Sequence, residues 1–198
     1  MAVSSSRFHE AYKRKPPWDT GRPQPVFVDL ESSGGIRGTV LDVGCGTGEN
    51  ALFLASKGYT VWGIDLVPEA IRQANEKARK RRSEVTFKVF DALQLSSLGK
   101  QFDTIIDSGL FHVFTDDERV LFVDQLRQVV KPGGNYYMLC FSDREPEGSG
   151  PRRVSREEIR LSFKEGWKVK AIEETFFEND LGERGARAWF ASIGKTLP

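Results

Sequence analysis

A chain of 198 residues, 39% hydrophobic and 29% charged, has the length and composition of one globular domain with its own core. Its 29 basic residues against 28 acidic leave a formal net charge of +1, which removes the electrostatic case for nucleic acid or an anionic membrane as main partner. Two cysteines make no disulfide framework, no apolar run approaches the ~18 residues of a membrane span, and no signal peptide is apparent, so a cytoplasmic protein is expected, monomer or homodimer.

Residues 1–11 open on Met-Ala-Val-Ser-Ser-Ser and are expected to fray. The next stretch, Tyr12 to Pro25, carries four prolines that keep most of it out of regular helix. It reads either as a linker or as something that covers a ligand, because Trp18 would waste a large apolar surface if left in water. Val26–Leu30 then reads as a short helix.

Thr39-Val40-Leu41-Asp42-Val43 is an aliphatic strand running into Gly44-Cys45-Gly46-Thr47-Gly48 and a helical pattern through Leu52, Leu54 and Ala55. Glycines at every second position permit positive φ and let a ligand lie against the main chain at a helix N-terminus. The spacing is G-x-G-x-G with Glu49 where a dinucleotide loop wants a small residue, and no nucleotide-triphosphate loop is present. The following strand, Thr60–Asp65, ends in an acid placed to accept both hydroxyls of a ribose.

This D-x-G-x-G-x-G loop with its downstream acid resembles the first motifs of the class I S-adenosylmethionine (SAM) methyltransferases. The resemblance implies a seven-stranded doubly wound α/β sheet with a reversed last strand, SAM as cofactor with S-adenosylhomocysteine as product, and no metal. It also implies a cofactor site at Trp18, Asp42, Gly44, Cys45, Gly46, Gly48, Asp65, Leu66, Asp91, Ala92 and Asp107. The segment P-W-D-x-G-R-x-x-P at Pro17–Pro25 resembles the N-terminal signature of the thiopurine, halide and thiol methyltransferases and of small bacterial enzymes that methylate toxic aromatics. There it folds over the cofactor, so residues 1–25 are expected as a lid and 26–198 as the methyltransferase domain, with Asp19 and Arg22 fastening the lid.

After Asp65, Pro68 starts a helix whose Ala70, Ile71, Ala74 and Ala78 form an inward stripe and whose basic end, Lys77 to Arg82, is expected to stay solvated. Val85–Phe90 is a third strand; Asp91 after it either caps a turn or, as the resemblance implies, accepts from the adenine amino group. Phe102–Asp107 is the fourth strand, and the loop Ser108 to Phe114 follows at the carboxyl ends of the strands, where ligands bind. Asp-Ser-Gly-Leu stands where nucleic-acid amino-methyltransferases carry N/D-P-P-Y/F, which argues against a flipped base. Thr115–Glu118 is a capping box for a helix with Val120, Val123, Leu126 and Val130 inward, and Lys131-Pro132-Gly133-Gly134 stops it before strand Tyr136–Phe141. A second box, Ser155–Glu158, caps the last helix, and residues 167–177 and 186–193 read as an antiparallel pair.

Methyl transfer from a sulfonium is an in-line displacement, helped by positioning and a dry, aromatic-walled site. Tyr12, Trp18, Ser108, Phe111, His112 and Phe141 are the candidates for contact with a small-molecule acceptor, with Phe114 a further wall. His112 is the one candidate base, and no His/Cys/carboxylate spacing suggests a metal. The expected activity is methylation of an aromatic hydroxyl, N-hydroxyl or thiol. The alternatives are a halide or thiopurine S-methyltransferase, a non-catalytic SAM-binding protein and, third, a nicotinamide oxidoreductase.

Overall fold

The computed structural model describes residues 5–148, 150–180 and 185–197. Its strands are β1 (Thr39–Val43), β2 (Thr60–Asp65), β3 (Val85–Val89), β4 (Phe102–Ser108), β5 (Val130–Phe141), β6 (Trp167–Phe177) and β7 (Ala186–Lys195). They form one sheet in the order β3-β2-β1-β4-β5-β7-β6. The first five are mutually parallel, and β7 alone runs against its neighbours, between β5 and β6. Chain order reverses between β1 and β4, so the loops leaving these two strands part and open a crevice at their carboxyl ends.

Period-two alternation sends β1 side chains to two cores. Leu41 and Val43 join Ile105, Phe122 and Trp189 on one face, while Val40 joins Val61, Ile106 and Leu139 on the other. Helices α2 (Pro25–Ser32), α3 (Glu49–Ser56) and α4 (Pro68–Arg81) cover the second face; α5 (Asp116–Val129) and α6 (Arg156–Ser162) cover the first. Burial on both sides is why the central strands read as nearly unbroken aliphatic runs. Pro68 does sit in the first turn of α4, the stripe Ala70, Ile71, Ala74, Ala78 is buried, and both capping boxes form.

Three expectations are corrected. The residues expected to fray form α1 (Ser5–Tyr12) wherever they are described; Met1 to Ser4 lie outside the described residues. The helix is held because Phe8, Tyr12 and Trp18 pack with Val67 and Ala70 at the start of α4. Val120 is 72% exposed, since the inward positions of α5 are Arg119, Phe122, Val123, Leu126 and Val129, and Val120 is turned ~100° from Arg119. Val130 belongs to β5, which starts immediately and runs through Lys131–Gly134 with a register shift opposite Phe102/Thr104. Gly134 makes this possible: a Cβ there would stand 2.9 Å from the main-chain oxygens of Asp103 and Lys131.

Candidate active site

The turn between β1 and α3 has Gly44, Gly46 and Gly48 at φ of 70°, 53° and 85°, a region other residues enter at a cost. Space adds a second requirement. A Cβ on Gly46 would lie 2.6 Å from the Tyr12 hydroxyl, and one on Gly48 would lie 2.5 Å from the Phe87 ring. The turn is tied to β2 by Cys45 N–H donating to Ile64 O (2.8 Å) and Gly46 N–H donating to Asp65 Oδ2 (2.9 Å). Asp65 Oδ1 accepts from Val67 N–H at 2.8 Å, so each carboxylate oxygen keeps a lone pair for a ligand hydroxyl.

This turn floors a cavity of about 1180 Å³. Of the expected cofactor residues, Trp18, Gly44, Cys45, Gly46, Gly48, Asp65, Leu66, Asp91 and Ala92 line it; of the expected acceptor residues, Tyr12, Trp18, Ser108, His112 and Phe141 do. Asp42, Asp107 and Phe111 are fully buried and do not line it. Asp42 Oδ2 accepts from Ala51 N–H (3.1 Å) on the α3 side of the sheet. Asp107 accepts from Leu110 N–H, Phe111 N–H and the Tyr136 hydroxyl at 2.7, 3.1 and 2.6 Å, shaping the loop from behind. Phe111 is fully buried against Phe163, beneath the Arg119 guanidinium. Asp91 caps a short 3-10 helix through Oδ1 and Leu93 N–H (2.8 Å), so the capping role is real and Oδ2 is left over for the cavity.

Burial pushes the Asp42 carboxyl up to about 8, with the charges of Asp107 and Asp65 adding to it, and the Asp107 carboxyl up to about 7. Asp65 is raised for the same reason. Oδ1 of Asp42 has no hydrogen-bond partner among the described residues. Three carboxyls, Asp42, Asp65 and Asp107, lie behind one glycine turn, none ion-paired to Lys or Arg among the described residues, and burial favours their uncharged forms. The residues at this turn would fit SAM, with Asp65 able to accept from ribose hydroxyls and Asp91 from a ring amino group.

The N-terminal segment forms one wall. Trp18 Nε1–H donates to the Tyr12 hydroxyl at 3.1 Å and the ring packs edge-on to Phe8 and Tyr12. Arg22 pairs with Glu178 (2.8 Å), and Asp19 lies 3.6 Å from Lys77. Sequence reasoning missed Gln24, which is buried and bonds both ways to the Glu178 main chain, Nε2–H to O and N–H to Oε1, each at 2.9 Å. A glutamine framed by Pro23 and Pro25 was the available signal.

The basic end of α4 is not merely solvated. Lys77 and Arg81 converge on buried Glu49 at the start of α3, each at 2.8 Å, and Lys77 also donates to the Thr47 hydroxyl. The acid that breaks the dinucleotide spacing is thus the ionic link that holds the glycine turn to α4.

His112 is buried at the opposite wall, edge-on to Phe141 with centroids 5.1 Å apart. Its Nδ1 accepts from the Phe141 N–H at 3.0 Å. Burial, then the charges of Arg119 and Arg153, hold the imidazole down at about 3, so it stays neutral with its proton on Nε2. Gly109, at φ 86°, lies against it: a Cβ there would approach Nε2 to 3.3 Å. In that neutral state the His112 ring offers Nε2–H rather than a free lone pair. Among the described residues no His/Cys/Asp/Glu group could hold a metal ion, and no helix is long and apolar enough to cross a membrane.

A family model for a methyltransferase domain matches residues 40–134. The 2-heptyl-1-hydroxyquinolin-4(1H)-one methyltransferase of Mycobacteroides abscessus is 37% identical over 166 residues, 82% of this chain and 73% of its own. The probable thiol methyltransferase 2 of Arabidopsis thaliana is 31% identical over 144 residues, covering 72% of this chain and 64% of its own. A structure solved in connection with the conversion of a disulfide bond into a thioacetal group during echinomycin biosynthesis is 35% identical with a TM-score of 0.89, over 96% of this chain and 92% of that one. With that similarity spanning the glycine turn, its acid and the reversed β7, this chain belongs to the class I S-adenosylmethionine-dependent methyltransferases.

Proposed function

We propose that the acceptor is a small planar aromatic carrying a hydroxyl or N-hydroxyl, taken up between the glycine turn and the wall formed by His112, Phe141 and Phe177. The observation that carries this reading is that wall itself. Phe141 and Phe177 stand edge to face with centroids 5.5 Å apart, the His112 ring is 5.1 and 6.1 Å from them, and one polar atom, Nε2–H, is left for the acceptor. The hydroxyquinolone named for the bacterial relative is an acceptor of that shape. SAM, when bound, supplies a methyl group already activated as a sulfonium substituent. The chain's own groups have other tasks: Asp65 and Asp91 orient the donor, the aromatic wall orients the acceptor and excludes water, and His112 donates to the acceptor's polar edge.

In this reading residues 1–25 act as a lid on the methyltransferase domain formed by 26–198, supported by Tyr12 and Trp18 at the cavity and by the bonds of Gln24 to Glu178. In the same reading this near-neutral chain acts on small molecules in the cytoplasm, without nucleic-acid or membrane partners, as a monomer or homodimer. A thiol acceptor is the second reading; the thiol methyltransferase relative favours it, and a thiolate needs no base from the protein. A panel of N-hydroxyquinolones, phenols, thiols, thiopurines and halides, scored for S-adenosylhomocysteine release, decides. Aromatic hydroxyl and N-hydroxyl compounds should lead it, and turnover confined to halides would reject the proposal.

A further inference from the structure

Arg152 and Arg153 are neighbours in sequence with opposite electrostatic fates. Arg152 is paired with Asp116 and Glu158. Arg153 has no carboxylate within ion-pair distance among the described residues, yet it lines the cavity. Its Nη1 and Nη2 each donate to a neutral main-chain oxygen, Pro151 O at 2.6 Å and Pro146 O at 2.7 Å, and its Nε–H is buried without a partner. These bonds fix the guanidinium without cancelling its charge.

The placement is built by the fold. Val154 bridges to the end of β5, with its N–H on Phe141 O at 3.0 Å and its carbonyl taking the Asp143 N–H, which carries Arg153 alongside Phe141. The guanidinium carbon lies 5.6 Å from the Phe141 ring centroid, and Gly150 leaves the space a side chain would fill, since a Cβ there would stand 3.4 Å from Nη1. His112 packs edge-on to the same Phe141 ring.

Among the described residues, several polar groups lining the cavity already have partners within the protein. His112 offers Nε2–H and its Nδ1 is engaged. Glu145 accepts from Arg187 N–H, Glu118 is locked in its capping box, Asp116 is held by Arg152, and Asp19 accepts from Gly21 N–H. The Tyr12 phenol is pushed upward by burial and by Asp65 and remains protonated.

We propose that Arg153 is the specificity-determining residue that selects the acceptor in its ionised form, an aromatic oxyanion held between the guanidinium on Phe141 and the Nε2–H of His112. The acceptor's hydroxyl proton leaves to water before binding, and no residue of the chain receives it. This rests on the aromatic hydroxyl acceptor proposed above.

The test is a spectrophotometric titration of para-nitrophenol bound to the full chain with S-adenosylhomocysteine present, so that no turnover intervenes. The bound phenol should ionise at least about one pH unit below the free phenol, as expected beside an unneutralised cation. Arg153→Met should abolish that shift and weaken binding of the phenolate by about tenfold or more, while S-adenosylhomocysteine affinity and melting temperature stay at wild-type values. Arg153→Lys, keeping the charge, should retain the shift. A wild-type protein that binds the phenol with an unshifted or raised pKa overturns the inference whatever the variants do, as does loss of the shift in Arg153→Lys. A protein that binds S-adenosylhomocysteine but neither the phenol nor an N-hydroxyquinolone would instead sink the acceptor reading on which this rests.

Discussion

The main-chain N–H of Phe141 donates to Nδ1 of His112 across 3.0 Å, and this one bond decides which face of the imidazole meets the acceptor. A neutral ring with Nδ1 engaged presents N–H, not a lone pair. The pH–rate profile should therefore carry no limb belonging to a histidine. Its ascending limb should move with the acidity of the acceptor when two phenols of different pKa are compared. A limb near 6.5 that stays put for both and vanishes in His112→Gln would restore the general-base role.

Stability should also vary with pH, with a sign set by buried groups. Asp42 and Asp107, at about 8 and about 7, keep protons in the folded state that the unfolded chain loses near ~3.9, so stability falls as pH rises through that window. His112, at about 3, acts oppositely: the unfolded imidazole takes a proton below ~6.5 that the folded one refuses, so stability is lost as pH falls. These acids, with Asp65 raised in the same direction, outweigh one imidazole below that point and keep the same sign above it. Ligand-free protein should melt at a lower temperature at a pH of about 8.5 than at about 6, with a shallower slope in Asp42→Asn. A melting temperature that rises across this range contradicts the account.

Asp65 serves both the turn and the proposed donor contact. Asp65→Ala should weaken SAM and S-adenosylhomocysteine binding by ~2–4 kcal/mol, through lost charge-assisted bonds and a loosened Gly46. Calorimetry on the folded variant checks this, and an unchanged affinity would remove Asp65 from the site.

Glycines with similar dihedrals should respond differently to alanine. Gly58 has φ 91° with nothing within 4 Å of a Cβ, so Gly58→Ala should cost only about 1 kcal/mol. Gly48 has φ 85° but meets the Phe87 ring at 2.5 Å, and Gly48→Ala should cost ~2–4 kcal/mol by adding overpacking to strain. Denaturant melts of the two variants compare them directly. Equal losses would mean that Phe87 yields freely.

Gln24→Leu removes both side-chain bonds to Glu178 and leaves a part-buried N–H and C=O without these partners, a cost of ~1–3 kcal/mol. The loss should show first as faster proteolysis between Lys13 and Arg22 and as a raised acceptor KM, before global melting. Wild-type protease resistance in that segment would place its attachment elsewhere.

Much of this protein is written locally. Gly44, Gly46 and Gly48 announce a turn because positive φ is a property of the residue itself. Thr115 and Ser155 announce helix starts because each cap is closed by a glutamate three residues on. The individual strands and the acid at the tip of β2 are legible from their local pattern, while the doubly wound sheet is implied by the family resemblance. What the sequence could not decide is where side chains point and which charges are cancelled. Asp42 and Phe111 sit in the right motifs yet face the core, because strand alternation and the bend after β4 turn them away from the cavity. Whether His112 donates or accepts depends on a main-chain N–H that β5 brings from 29 residues away. Glu49 meets Arg81, and Gln24 meets Glu178, only after the sheet has formed. Arg152 and Arg153 are the same residue side by side. One reaches carboxylates on α5 and α6, and the other is turned onto Phe141, where no carboxylate of the described residues lies within ion-pair distance. Charge acts through space, and only the tertiary structure says what lies across that space.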